Sequence, residues 1–143
     1  MRTLSILMFT CTIFGIGLIG CQNKANRLMD GIYEGQSRSK YTDEPFVGVS
    51  KIQIKNGSIV KVNFEIIDTS KNELFNGDYE KHFIGNDEYI NQCRNDWKGV
   101  LNYPDILIQK QSMDSIDAVS GATWSFNLFK SSACIALKKA ITQ

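Results

Sequence analysis

Residues Asp117-Ala118-Val119-Ser120-Gly121-Ala122-Thr123 place one threonine hydroxyl at the end of a run of small side chains, directly before an amphipathic helical pattern. A threonine acting as an enzyme nucleophile needs a base or a depressed pKa beside it, and the run holds no histidine, no lysine and no second acid. The chemistry it offers is attachment. Gly121 and Ala122 let another protein's active site, or a bulky ligand, approach the backbone closely. Thr123 falls near the start of a helix, where unpaired N–H groups and the dipole favour a phosphate. These residues read as a phosphate position.

Other chemistry-bearing residues are sparse. No Cys-x-x-Cys, paired-histidine or clustered-acid spacing supports a zinc, haem or iron–sulfur centre. His82 is the single histidine and reads as a surface or loop residue. Trp124 and Phe126 follow the threonine; aromatic residues at helical spacing usually serve a core, and Trp124 alone is also a candidate for stacking on a bound ring. A formal charge of +1, with the basic residues dispersed, leaves no electrostatic footprint for nucleic acid.

The elements that must position the threonine follow from periodicity. Phe46 to Lys55 reads as a strand with Ile52 and Ile54 on one face; Val47 and Val49 fall on the opposite parity, with Gly48 as a candidate bulge. Asn56-Gly57 is a two-residue hairpin signal, and Ser58 to Ile67 returns with Val60, Val62, Phe64 and Ile66 on one side. Ile32 to Gln36 supplies another strand, and Asp68 to Asn76 a polar connection. Asn86 to Trp97 fits a helix burying Tyr89, Ile90, Cys93 and Trp97. Pro104 fits the first turn of a second short helix to about Gln111, although Ile106-Leu107-Ile108 fits a buried strand equally well. From Ser125 on, Phe126, Phe129, Ala133, Leu137 and Ala140 recur at helical spacing. The expected fold is a single α+β domain, a small antiparallel sheet packed against helices, and 143 residues are too few for two such cores.

The run around Thr123 resembles the flavinylation signature Asp-x-x-Ser/Thr-Gly-Ala-Thr of FMN-binding domains, among them those in the C and G subunits of ion-pumping quinone and ferredoxin oxidoreductases. Asp30-Gly31-Ile32-Tyr33-Glu34-Gly35 resembles the Asp-Gly-x-Tyr-x-Gly opening of these domains, and Lys55 to Val62 their first hairpin. The resemblance implies that Thr123 carries FMN through a phosphoester bond, with Asp117, Ser120, Gly121 and Ala122 as the recognised frame. It implies a maturation partner, an FAD:protein FMN transferase. The extra sequence that surrounds this module in the large pump subunits is nearly absent here.

The N-terminus reads as a targeting segment. Arg2 precedes an uncharged apolar run from Leu4 to Ile19, and Leu18-Ile19-Gly20-Cys21 resembles a bacterial lipobox, in which the cysteine sulfur takes a diacylglycerol. The expected division is a signal peptide over 1–20, a lipidated tether over 21–29 and an FMN-binding domain over 30–143. An uncleaved transmembrane anchor is the alternative, the run being slightly shorter than the roughly 20 residues that span a bilayer. Either reading places the domain outside the cytoplasm on a bacterial membrane. Cys93 and Cys134 then remain: a disulfide between them is open to a protein outside the cytoplasm, and the alternative, favoured here, is two free thiols with Cys134 a small core hydrophobe. A noncovalent cofactor there would be lost by mass action, and a phosphoester removes that dependence. The resulting expectation is a membrane-tethered electron carrier with an unassigned donor and acceptor. The alternatives are a flavin-bearing component of a larger reductase, or a non-redox surface lipoprotein that retains the fold.

Overall fold

Strand β1 (Gly31–Gln36), β2 (Phe46–Lys55), β3 (Ser58–Asp68) and the two-residue β4 (Glu73–Leu74) form an antiparallel meander in chain order, followed by helices α1 (Asp87–Lys110) and α2 (Thr123–Lys139). The structure is a computed structural model and describes residues 27–37 and 44–141. Both helices cover one face of the sheet, α2 over β1 and β2 and α1 over β3, which makes the domain α+β as the patterning predicts. The segment read as a signal peptide and the expected lipid site Cys21 lie outside the described residues.

The hairpin signal is realised. Asn56 and Gly57 both take positive φ (53° and 74°), as a two-residue turn between twisted strands requires. Asp30 fixes this turn from outside, accepting hydrogen bonds from the backbone N–H groups of Asn56 (2.9 Å) and Gly57 (3.0 Å), which hold its carboxyl below the usual carboxylate range. Beside the turn the ladder skips Val60: Ile54 faces Ile59, and Gln53 faces Lys61. The bulge therefore lies on β3 and not at Gly48. It turns Ile59 into the core and leaves Val60 44% exposed, so the expected apolar set on this strand becomes Ile59, Val62, Phe64 and Ile66.

Gly48 keeps the register of β2 and serves a different purpose. With Gly35 and Ser50 it forms a patch of small residues under α2: a Cβ at Gly48 would meet Leu128 Cβ at 3.0 Å, and Ser50 and Ser132 share a buried 2.6 Å hydrogen bond. At Gly35 the approach is closer still, a Cβ there lying 2.1 Å from the Ser132 carbonyl oxygen and 2.5 Å from the Ala136 nitrogen. The two glycines let a helix backbone rest almost directly on the sheet.

The connection from 68 to 76 contains β4, which pairs Leu74 and Glu73 with Ile67 and Asp68 and was not legible as a strand in so short a polar stretch. Helix α1 is continuous where two pieces were expected. Asn86 caps it, its side chain accepting from the Tyr89 N–H, and Pro104 lies inside it. A proline there removes one backbone hydrogen bond at a cost of about 3 kcal/mol; the fully buried Tyr103 and Leu107 on either side offset that cost. The inner face of α1 is Cys93, Asp96, Gly99, Val100, Tyr103 and Leu107, while Tyr89, expected inside, is 56% exposed. In α2 the buried Phe126, Phe129 and Ala133, with Ala140 just past its end, match the predicted stripe, while Leu137 is half-buried.

Both helices point the same way. The second residue of α2, Trp124, touches Phe46 at the start of β2, and Ala140, just past its end, accepts from the Met29 N–H beside the hairpin. Gln111, just past α1, exchanges hydrogen bonds with the backbone of Ile59. The two helix N-termini therefore meet at the end of the sheet remote from the hairpin. Leu28 and Met29, read as tether, belong to the folded unit: Leu28 bridges to Ile141 and packs on the core.

At that remote end Asp68 is wholly buried and accepts from the Tyr79 hydroxyl (2.6 Å), the Lys71 ammonium (2.8 Å), the Ser70 hydroxyl (2.6 Å) and two backbone N–H groups. Burial alone would push its carboxyl up. The hydrogen bonds from Lys71, Ser70 and Tyr79 outweigh it and hold the group well below the carboxylate range. A carboxyl with a lower pKa folded than unfolded stabilises the fold above its unfolded value, about 3.9, and that contribution is lost as pH falls through the folded value. The thermal midpoint should therefore fall as pH drops below about 4, and Asp68→Asn should lower it at pH 7 and flatten the acid limb. Parallel acid limbs in melts of the two proteins would refute this account.

Candidate functional site

The Asp117–Thr123 run leads into the N-terminus of α2 and is held there almost entirely by α1. Val119 to Ala122 is a tight turn, the Ala122 N–H donating to the Val119 carbonyl at 2.9 Å, with Gly121 supplying the positive φ of 76°. The buried Tyr103 hydroxyl donates to the Ala122 carbonyl (2.8 Å) and accepts from the Val119 N–H (3.2 Å). Gln92 donates its side-chain amide to the Gly121 carbonyl (2.9 Å) and to Asp96 (2.6 Å). Asp96, only 2% exposed, accepts from the Ser125 backbone N–H (3.0 Å) and hydroxyl (2.9 Å). Gly99 lets the elements close: a Cβ there would lie 2.8 Å from Ser125 Oγ and 2.9 Å from Ala122 Cβ.

Asp96 thus caps α2 from a neighbouring helix, since Ala122 at the N-cap position has no side chain to do so. Removing it would strand the Ser125 N–H and leave the Gln92 amide with the Gly121 carbonyl alone. Asp96→Ala should cost about 1–3 kcal/mol, read as a lower urea midpoint, and an unchanged midpoint would show that the cap is not needed.

The run's own side chains are otherwise free. Asp117, Ser120 and Thr123 are exposed and make no hydrogen bond among the described residues, whereas Ala122 is fully buried. Asp117 therefore does not hold the backbone of the turn; Tyr103, Gln92 and Asp96 do. Thr123 opens the first turn of α2, and the Thr123 and Trp124 N–H groups, unlike that of Ser125, have no acceptor among the described residues. A free hydroxyl, two free amides and a positive helix end converge there.

Trp124 turns inward. Its indole N–H donates to Glu44 (3.1 Å), and its ring packs edge-on against Phe46 (5.1 Å) and Phe75 (5.2 Å). These rings, with Tyr79, Phe83 and Tyr89, line a cavity of about 240 Å³ bordered on the polar side by Glu44, Gln92 and Asp96. The Tyr79 phenol, pushed up to about 12 by burial and by its bond to Asp68, remains a donor. Cys93 also lines the cavity; burial, with Asp96 and Glu80 nearby, pushes its thiol up to about 11, which leaves it no nucleophile. Cys93 and Cys134 are both free. His82 is an outer residue, its Nε2 2.9 Å from Glu73. No group of acids, histidines and cysteines among the described residues is arranged to hold a metal.

Asp96, Gln92, Tyr103 and Gly99 were not singled out from sequence. Asp96 left one signal: with Cys93, Val100, Tyr103 and Leu107 it falls on the apolar stripe of one helix, where an acid needs a partner.

No family model and no curated protein matches the chain. Among solved structures it is similar to the crystal structure of the CPE2226 protein from Clostridium perfringens, with 30% identity and a TM-score of 0.54 over 79% of this chain and 88% of that one. The shared residues extend over nearly the whole of that protein, and the chain belongs to the same family as CPE2226.

Proposed function

We propose that this protein is a covalent flavoprotein in which Thr123 carries FMN by a phosphoester, and that it works as an electron carrier tethered to the outer side of a bacterial membrane through Cys21. One observation carries the reading: the exposed, unbonded Thr123 opens α2 beside two free amides and next to an aromatic cavity. The residues fit the group. Thr123 would supply the ester oxygen and the Thr123 and Trp124 N–H groups would be available to the phosphate, while Ser120 and Gly121 are exposed to an approaching FMN transferase. Bound flavin would supply one- and two-electron chemistry, while the chain's part is orientation and exclusion of water. Asp96, Gln92 and Tyr103 keep the acceptor turn in one shape, so the hydroxyl is presented and not merely available. Asp117 and Ser120, exposed and without a hydrogen bond among the described residues, are the side chains a transferase would read. The test is co-expression with an FMN transferase followed by denaturing electrophoresis: in-gel flavin fluorescence supports the reading, and a colourless band favours a non-redox surface protein.

A further inference from the structure

The charges of the fold are sorted along its length. At the hairpin end Lys55 precedes the turn, Lys61 follows it across from Gln53, Lys110 closes α1, and Lys138 and Lys139 close α2. All of these lysines are exposed and none forms an ion pair among the described residues, and Arg27 lies against the same turn. The acids of that half are Asp30, taken up by the turn, and the exposed Glu34, Asp105 and Asp114. At the opposite end the balance reverses. Glu44, Glu73, Asp78, Glu80, Asp87 and Glu88 gather there, and the neighbouring cations are already engaged: Lys71 with Asp68, Lys81 with Glu73 and Arg94 with Glu80. A domain polarised in this way meets an anionic surface with its hairpin end.

Apolar side chains accompany the lysines. Met29 (42% exposed), Ile32 (60%) and Val60 (44%) lie beside the same hairpin, Val60 because the bulge leaves it out of the core. On the sheet face that carries no helix, Ile32, Lys51, Gln53, Lys61 and Asn63 line a groove of about 180 Å³. Lys51 and Lys61 bring two unpaired ammonium groups to it, and the Gln53 and Asn63 amides are donors without a hydrogen bond among the described residues. Ammonium groups set among exposed aliphatic side chains suit a headgroup layer, where the apolar parts are covered and the charges meet phosphates.

The chain also enters the fold at this end, Leu28 bridging to Ile141 and Met29 donating to Ala140. From Cys21 to Arg27 it reaches at most about 20 Å, which is less than the roughly 25 Å length of α2. A lipid on Cys21 would therefore keep the basic end, and not the Thr123 end, against the bilayer.

We propose that the hairpin end docks on the anionic headgroups of the membrane, with a headgroup phosphate in the groove between Lys51 and Lys61, so that the Thr123 end is held away from the bilayer. That a bilayer is within reach rests on the reading of Cys21 as the lipid anchor; the basic face does not.

The test is lysine footprinting. Native protein expressed from the full-length chain is added from detergent to vesicles of phosphatidylcholine, or of phosphatidylcholine with phosphatidylglycerol, floated, and acetylated with a water-soluble ester, each lysine being read by mass spectrometry. On the anionic vesicles Lys51, Lys55, Lys61 and Lys138 should react about five-fold more slowly than on the neutral ones, on the scale of one lysine held at an anionic surface. Lys81 and Lys98 should keep their rates, and high salt should remove the protection. Lys51→Gln with Lys61→Gln should lose most of the protection at Lys55 and Lys138, whereas Lys51→Arg with Lys61→Arg should retain it; both positions are exposed, so the variants should melt as wild type does. Flotation with both kinds of vesicle but equal lysine rates on each would overturn the docking face and leave the anchor standing. Flotation with anionic vesicles alone, with these lysines protected, would keep the face and remove the anchor reading. Protection that is as strong on neutral vesicles and grows with protein density would show a second copy of the chain on this face and would also overturn the proposal.

Discussion

Thr123→Ala, co-expressed with an FMN transferase, should carry no covalent flavin and yet fold as wild type does. The side chain is exposed and forms no hydrogen bond among the described residues, so the change should move stability by no more than about 0.5 kcal/mol. The expected effect on labelling is total, because the only hydroxyl at that place is gone. Two controls bracket it. Thr123→Ser keeps an oxygen and loses a methyl, so labelling should fall without vanishing. Ser120→Ala keeps the acceptor and should alter only efficiency, since Ser120 supports nothing inside the protein. In-gel fluorescence after denaturation reads all three, and fluorescence persisting in a folded Thr123→Ala protein would place the flavin on another residue.

Gly35→Ala should have the largest effect on stability of any glycine-to-alanine change among the described glycines with negative φ. The new Cβ would lie 2.1 Å from one α2 backbone atom and 2.5 Å from another. Neither is the flexible tip of a side chain, so relief requires the helix to move off the sheet, breaking the Ser50–Ser132 hydrogen bond and opening the contacts around Gly48. Overpacking ordinarily costs about 1–3 kcal/mol, and a backbone collision belongs at or beyond the upper limit. Gly77→Ala is the matched control: its Cβ would meet only the edge of Trp97, at 3.3 Å. Thermal melts followed by circular dichroism should show a large drop for Gly35→Ala and a small one for Gly77→Ala. A wild-type midpoint in Gly35→Ala would mean that α2 does not rest on β1 as described.

The Gly35 result bears on what the opening Asp30–Gly35 motif does. Asp30 ties down the hairpin turn and Gly35 admits α2, so these two residues of the motif build the fold. The strands, the hairpin and α2 were legible because their periods are strong and each has one buried face. Three local features were not. The bulge at Val60 turns on a one-residue slip that leaves the alternation intact on either side, and β4 is only two residues long. Pro104 is a locally correct helix-start signal that tertiary burial overrides.

At the site, the Asp117–Thr123 run stood out because its residues are contiguous. The clamp on it was not, because Gln92, Asp96 and Tyr103 precede it by 16 to 29 positions and meet it only when α1 and α2 align. The cavity is less legible still. Its lining comes from β2, the segment before α1, α1 itself and α2, and Tyr89 and Trp124 carry the same hydrophobic signal whether they fill a core or face a ring.

The central claim is that Thr123 bears FMN, and the most direct measurement is the intact mass of the native full-length protein, followed by peptide mapping. A gain of one FMN less one water, confined to the peptide containing Thr123 and retained after denaturation, is the predicted result. A native protein with no such gain, purified from cells in which the transferase is active on a control substrate, would contradict it.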